Sequence, residues 1–174
     1  MLFDVSSFRN FPLFVVIGID PGSRLLGYSV LLFKAGEFNL LKLGSFTFTG
    51  KLGEKLFTFF QFFSSLYDSL ILEFCCLVFF SIESQFVLKN FRSSFVLVSF
   101  NSVLLLIVQQ KSSLLFEFSP AEVRKLICSD PFAKKDAVAK VLSEFFSISF
   151  ASSDESDSLA ISFSGALRFL HSTL

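Results

Sequence analysis

Phe14-Val-Val-Ile-Gly-Ile-Asp20-Pro-Gly-Ser-Arg24-Leu-Leu-Gly27-Tyr-Ser-Val-Leu-Leu-Phe33 decides how the rest of the chain is read. Its first half is a short apolar run of Phe, Val and Ile that ends in one carboxylate, the pattern of a strand buried on both faces. Pro21 fixes φ and Gly22 tolerates positive φ, so the pair marks a tight turn. A second apolar run then leads away, a neighbouring strand expected to be antiparallel. Asp20 therefore sits at the tip of a buried strand. A carboxylate there is costly unless something compensates its charge, and a cation does so most directly.

Working outward, Leu25–Phe33 and Phe38–Phe48 form two further strands around the turn Lys34-Ala-Gly36-Glu. Gly50 to Gly53 breaks the pattern, and Lys51 to Leu72 reads as a helix. Leu56, Phe59, Phe60, Phe63, Leu66, Tyr67 and Leu70 lie on one face of it. Cys76-Leu-Val-Phe-Phe-Ser-Ile82 is another continuous apolar run, hence another buried strand, and it ends at Glu83. A long helix follows from about Lys89 to Gln110, then a short strand over Ser113–Phe118. Ser119-Pro120-Ala-Glu122 opens a helix as N-cap, first-turn proline and reciprocal glutamate. Asp130-Pro131 stops that helix. Lys134 to Phe146 and Asp154 to about Leu170 are helical. This order predicts an α/β fold with a mixed sheet. There is no internal repeat or linker, so residues 14–174 are expected to be one domain behind a short extension, 1–13.

The chain of 174 residues is formally neutral, with fifteen basic and fifteen acidic side chains. That balance supplies no overall attraction for a polyanion. Phenylalanine is extreme at 28 residues, with no Trp. The longest uncharged run, Ser93 to Gln110, approaches the length of a membrane span, but its Ser, Asn and Gln fit a buried helix of a soluble protein. Met1 to Pro12 carries Asp4 and Arg9 and has the form of neither a signal nor a transit peptide. Cys75, Cys76 and Cys128 offer no C-x-x-C spacing and read as buried, reduced thiols, consistent with a cytoplasmic protein.

Three more acidic positions stand out. Glu83 ends a buried strand as Asp20 does, although a strand-end Glu facing water is an ordinary alternative. In Asp154-Glu155-Ser156-Asp157-Ser-Leu-Ala160 the two aspartates lie three apart and share one face of a helix. Acids at a helix N-terminus are also common for the sake of the dipole.

Ile17-Gly-Ile-Asp20-Pro-Gly-Ser-Arg24 with Gly27-Tyr28 resembles the opening of the RuvC family of Holliday junction resolvases. Actin-like ATPases and sugar kinases begin with a similar Asp-x-Gly hairpin that holds ATP phosphates, so this stretch alone leaves both readings open. The segment Ser81-Ile-Glu83-Ser-Gln-Phe86-Val-Leu-Lys89-Asn90 also resembles the family, as does Asp154 to Ala160. Taken in order, the resemblance runs from Phe14 to about His171. It implies a ribonuclease H-like fold with a five-stranded mixed sheet flanked by helices.

The resemblance further implies an endonuclease that resolves four-way DNA junctions by paired nicks, in recombination and repair. Phosphodiester hydrolysis needs an activated water and relief of charge at the leaving oxygen, which two Mg²⁺ ions about 4 Å apart supply to both ends of the displacement. Mg²⁺ takes carboxylate and water oxygens. Asp20, Glu83, Asp154 and Asp157 are the expected catalytic and metal-binding residues, with Asp20 bridging, two Mg²⁺ per subunit and Mn²⁺ as a substitute. By the same resemblance Lys125 and Lys135 contact backbone phosphates, with Lys134 able to replace Lys135. Arg24 and Lys89 add to the DNA surface, and Phe86 inserts at the crossover, although a core Phe is the plain alternative. His171 reads as a surface residue.

The implied partners are a four-way junction, a second copy of the chain, and the RuvA–RuvB branch-migration complex. Two departures stand against the pattern. The loop before the second lysine is Gly-rich in the family but reads Asp130-Pro-Phe-Ala133 here, and the helix after Asn90 carries Leu97-Val-Ser-Phe100-Asn-Ser102 where relatives have small residues. These departures and the neutral charge leave a binding-only family member as the rival expectation. An actin-like ATP binder is more remote, since the chain lacks the length and glycines for a second domain.

Overall fold

A computed structural model describes residues 12–22, 25–84 and 91–172, without the side chains of 91–93. Five strands form one sheet: β1 (Phe14–Asp20), β2 (Leu25–Lys34), β3 (Glu37–Thr47), β4 (Leu77–Glu83) and β5 (Leu115–Phe118). Their order across the sheet is β3-β2-β1-β4-β5. The expected hairpin is present, with β1 antiparallel to β2 and Asp20 opposite Gly27. β4 lies parallel to β1 on its other side, and β5 parallel to β4. Ala35 and Gly36 both have positive φ, 53° and 83°, which gives the β2–β3 hairpin the twist that a two-residue turn requires.

The helices divide between the two faces of the sheet. α1 (Leu52–Phe74) and α2 (Phe91–Gln110) cover one face, and α3 (Pro120–Cys128), α4 (Lys135–Phe146) and α5 (Ser153–Ser172) belong to the other. Alternation along the strands sorts the core. Val15, Ile17 and Ile19 pack with Phe59, Phe63 and Phe100 on the α1–α2 side. Phe14 and Val16 pack with Leu159, Phe163 and Ala166 on the α5 side. The many phenylalanines fill both layers, with Phe14 stacked on Phe33 at 4.9 Å and Phe48 on Phe100 at 4.8 Å.

Two expectations need correction. The helix over Ser93 to Gln110 is not buried: Phe100, Leu104 and Ile107 are fully covered, but Val98, Leu105 and Leu106 on its outer face are exposed. The helix is apolar all round because its outer face is greasy as well. No helix among the described residues is long and apolar enough to cross a membrane. The thiols are not buried either. Cys75 is exposed, Cys76 and Cys128 are half-buried, and all three are free. Cys75 terminates α1 in the left-handed region at φ 49°, where its N–H donates to the Ile71 carbonyl and the chain turns at the surface.

Candidate active site

The site begins with the taper of three strands. On the α5 side β1 presents Phe14, Val16, Gly18 and Asp20; β2 presents Phe33, Leu31, Ser29 and Gly27; β4 presents Phe79, Ser81 and Glu83. Each strand runs from large to small toward the end that carries the acids. α5 therefore lies very close to the sheet there. A Cβ added at Gly18 would stand 2.4 Å from the Ser158 carbonyl oxygen, and one at Gly27 would stand 2.1 Å from that of Asp154. At Gly165 of the helix itself a Cβ would meet Ser81 at 2.8 Å.

Hydroxyls then hold the helix in place. Ser29 Oγ donates to the Ser158 carbonyl at 2.9 Å and lies 2.8 Å from Ser162 Oγ. Ser81 Oγ donates to the Ile161 carbonyl at 2.8 Å. All of these side chains are buried, so each bond also satisfies a polar group that water does not reach.

This contact delivers the acids. Gly18 is paired with Ser81 and Ile19 with Ile82, so Asp20 and Glu83 come next on neighbouring strands, which run about 4.8 Å apart. Asp154 lies over Gly27, the β2 residue opposite Asp20. Asp157 follows three residues along the same helix. Asp20 feels the charge of Asp157, Glu83 and Asp154, and its carboxyl is pushed up from 3.8 to about 7, first by burial and then by those neighbours. The Glu83 carboxyl is also raised, by burial and by Asp157, against the lowering effect of Lys135 and Arg124.

Positive charge enters from α3 and α4. Lys135, the first residue of α4, reaches across to Asp157 with Nζ 2.5 Å from Oδ2. That hydrogen bond is the leading reason its ammonium is held above the usual lysine range. Asp157 is largely covered, at 16% side-chain exposure, whereas Lys135 is 65% exposed. Lys135 is thus available to a second anion. Glu83, Asp157, Lys135 and Arg124 line one small cleft, floored by Val123, Val138, Ala160 and Ile161. α3 is fixed by its capping box, in which Ser119 N–H donates to Glu122 Oε2 at 2.7 Å and Glu122 N–H donates back to Ser119 Oγ at 3.3 Å.

The residues expected from sequence fare differently. Glu83, Asp157 and Lys135 meet in the cleft, with Asp20 within reach of their charges and Asp154 close enough to act on Asp20. Lys125 is exposed on α3, and it is the adjacent Arg124 that faces Glu83. Lys134 is the exposed N-cap of α4. His171 is exposed at the end of α5. Arg24, Phe86 and Lys89 lie outside the described residues. The sequence reading named Lys125, and finding Arg124 in its place required the rotation of α3, which Val123 and Ile127 set by burying themselves in the core. Gly18, Gly27, Ser29 and Ser81 were overlooked, although their signal is the small residue at alternate strand positions.

Residues 16–164 match the family Crossover junction endodeoxyribonuclease RuvC. A RuvC from Myxococcus xanthus is 31% identical over 153 residues, 84% of this chain and 76% of that protein. One from Baumannia cicadellinicola is 30% identical, covering 84% and 83%. The chain belongs to the RuvC family. Thermus thermophilus RuvC, solved in complex with a Holliday junction substrate, shares the fold with a TM-score of 0.75 at 18% identity, over 90% of this chain and 96% of that one. A second Thermus thermophilus RuvC structure gives 0.76 at 19% identity, over 91% and 97%. The five-stranded mixed sheet with helices on both faces is therefore the ribonuclease H-like fold of the RuvC structures.

The donors of this RuvC-family site fit Mg²⁺ in kind. They are hard carboxylate oxygens from three separate elements, and burial together with their mutual repulsion raises the Asp20 carboxyl. Their present spacing is looser than a closed cage: among the described residues no three His, Cys, Asp or Glu side chains form a ready ligand group. Lys135 sets a positive charge beside Asp157.

Proposed function

We propose that this chain is an Mg²⁺-dependent, homodimeric endonuclease that resolves four-way DNA junctions by paired symmetric nicks in recombination and repair. The observation that supports it most is the convergence of Asp20, Glu83 and Asp157, from β1, β4 and α5, against Lys135. Membership of a family whose members are named crossover junction endodeoxyribonucleases supports the same reading.

Asp20, Glu83, Asp154 and Asp157 would hold the ions, with Mn²⁺ as an alternative. When bound, Mg²⁺ lowers the pKa of water and offsets charge at the leaving oxygen. The chain's own part is to position. The wall of β1, β4 and α5 presents the carboxylates to one side of the scissile phosphate. Lys135 and Arg124 line the same cleft, where an ammonium and a guanidinium can bind non-bridging phosphate oxygens and stabilise the charge that grows there. Asp157 keeps the Lys135 ammonium charged and aimed.

Incubation with a synthetic four-way junction and Mg²⁺ should give symmetric nicks in strands of like polarity. Absence of nicking with Mg²⁺ and with Mn²⁺, while junction binding persists, would favour the binding-only reading, for which the loose spacing of the acids is the motive.

Symmetric cutting needs two sites related by a two-fold axis. The outer face of α2 supports a dimer, since Phe95, Val98, Leu105 and Leu106 recur at helical spacing and are about half exposed. Leu105→Asp with Leu106→Asp should convert a dimer to a monomer in sedimentation equilibrium and uncouple the two nicks. A double variant that sediments like wild type would remove α2 from the interface. A partnership with RuvA–RuvB completes the proposal at the level of the cell, in the cytoplasm.

A further inference from the structure

The loop between α3 and α4 departs from the family pattern, and it carries an aromatic ring that the core does not use. Phe132 is 88% exposed, more than any other large hydrophobic side chain among the described residues. It is not on a slack segment. Ser129 ends α3 in the left-handed region at φ 58°, and Pro131 fixes the next φ but one. Asp130 Oδ1 accepts from the Phe132 N–H at 2.9 Å, and the Asp130 carbonyl accepts from the Ala133 N–H at 3.2 Å. An Asx turn closed by a proline therefore holds the ring out toward water.

The placement carries the argument. Lys135, three residues on, is the cation that reaches Asp157 in the acidic cleft. Three residues span at most about 11 Å of chain, and successive nucleotides of a strand advance about 3.4 Å. A strand whose phosphate lies at Lys135 therefore brings bases within about three nucleotides of Phe132. Charge around the ring suits such a strand: Arg124, Lys125, Lys134, Lys135 and Lys140 fall between residues 124 and 140, against Asp130 and Asp136. In a chain that is neutral overall, this is where basic residues gather.

Resting on the nuclease reading above, we propose that Phe132 is a stacking platform for an unstacked nucleobase of the strand being cut, close to the scissile phosphate. The fixed turn makes the stack cheap in entropy, since the ring is held out before DNA arrives. It would also give a net-neutral protein part of its hold on the junction by a route that salt does not screen.

Equilibrium binding of a four-way junction, measured without divalent metal, tests this. Phe132→Ala should weaken binding by about 5- to 150-fold, the range for loss of one base–aromatic stack, and Phe132→Trp should keep it near wild type. The chain has no tryptophan, so the indole of Phe132→Trp reports alone, and its emission should be quenched when junction is added. The ring touches no core, so both variants should retain the wild-type melting temperature.

Unchanged affinity in Phe132→Ala, unchanged emission in Phe132→Trp at saturating junction, or a change of oligomeric state in Phe132→Ala would each overturn the platform while leaving the nuclease reading intact. A wild-type chain that binds no junction would overturn both.

Discussion

Asp20→Asn is expected to abolish junction nicking, by about 10³-fold or more, while making the metal-free protein harder to unfold. The first effect follows from removing the central carboxylate of a site that works by placed charge. The second follows from its ionisation. A carboxyl of ordinary value 3.8 that titrates at about 7 in the folded chain keeps, between those pH values, a proton that the unfolded chain has released. Proton binding by the native state means that stability is fully present below about pH 4 and is lost as pH rises through about 7.

Raising the carboxyl from 3.8 to about 7 corresponds to roughly 4 kcal/mol. For a chain of this size that is on the order of 10 °C in melting temperature. Wild-type protein without metal should therefore melt progressively lower from about pH 4 to about pH 7 and level off above it, and Asp20→Asn should flatten that slope. Mg²⁺ should raise the wild-type melting temperature at pH 8 by binding the ionised native state, and should do so less in the variant. Thermal melts across that pH range, paired with the nicking assay, check all three. A wild-type slope that stays flat, or an Asp20→Asn protein that still cuts at the normal rate, contradicts the assignment of Asp20 as the half-buried centre of the site.

Gly27→Ala should cost about 2–3 kcal/mol of stability and, separately, about 10²-fold in nicking. The new methyl would stand 2.1 Å from the Asp154 carbonyl oxygen and 2.7 Å from its carbon, so the first turn of α5 has to move by about an ångström. Overpacking of this kind carries a penalty of 1–3 kcal/mol, and a displacement of about 1 Å at reacting groups is enough for the kinetic loss. Gly18→Ala meets Ser158 and Ser162 further along the helix, at 2.4 and 2.6 Å, and should lose at least as much stability.

Gly53→Ala is the control. Nothing lies within 4 Å of its added Cβ, and in the first turn of α1 the change should be neutral or gain up to about 1 kcal/mol. Urea unfolding of the three variants decides it. Equal stability of Gly27→Ala and Gly53→Ala would mean that α5 is not seated on the sheet as described.

Much of this was legible along the chain. Continuous runs of Val, Ile and Phe announced β1 and β4, the Ala35-Gly36 turn fixed the β2–β3 hairpin, and the Ser119 capping box fixed the start of α3. Asp20 and Glu83 stood out because each ends a buried run, although for Glu83 a strand-end carboxylate facing water was an ordinary alternative. These are local signals, carried by two-residue and 3.6-residue periods and by the φ preferences of Gly and Pro.

What only the tertiary structure decided is how near the separate pieces come. Sequence placed Asp154 and Asp157 on one helical face but gave no direction for that face. The seating of α5 on Gly18, Gly27, Ser29 and Ser81 turns it toward Asp20, since a helix can approach a sheet only where side chains are small. The sequence reading favoured Lys125, and the burial of Val123 and Ile127 turned the adjacent Arg124 toward Glu83 instead. Its misreading of α2 as a buried helix has the same root: an apolar residue is marked by composition, but whether it is covered depends on which other surface arrives. Chemistry at each position was written in the residue types; convergence was settled by packing, which joins residues that share no local signal.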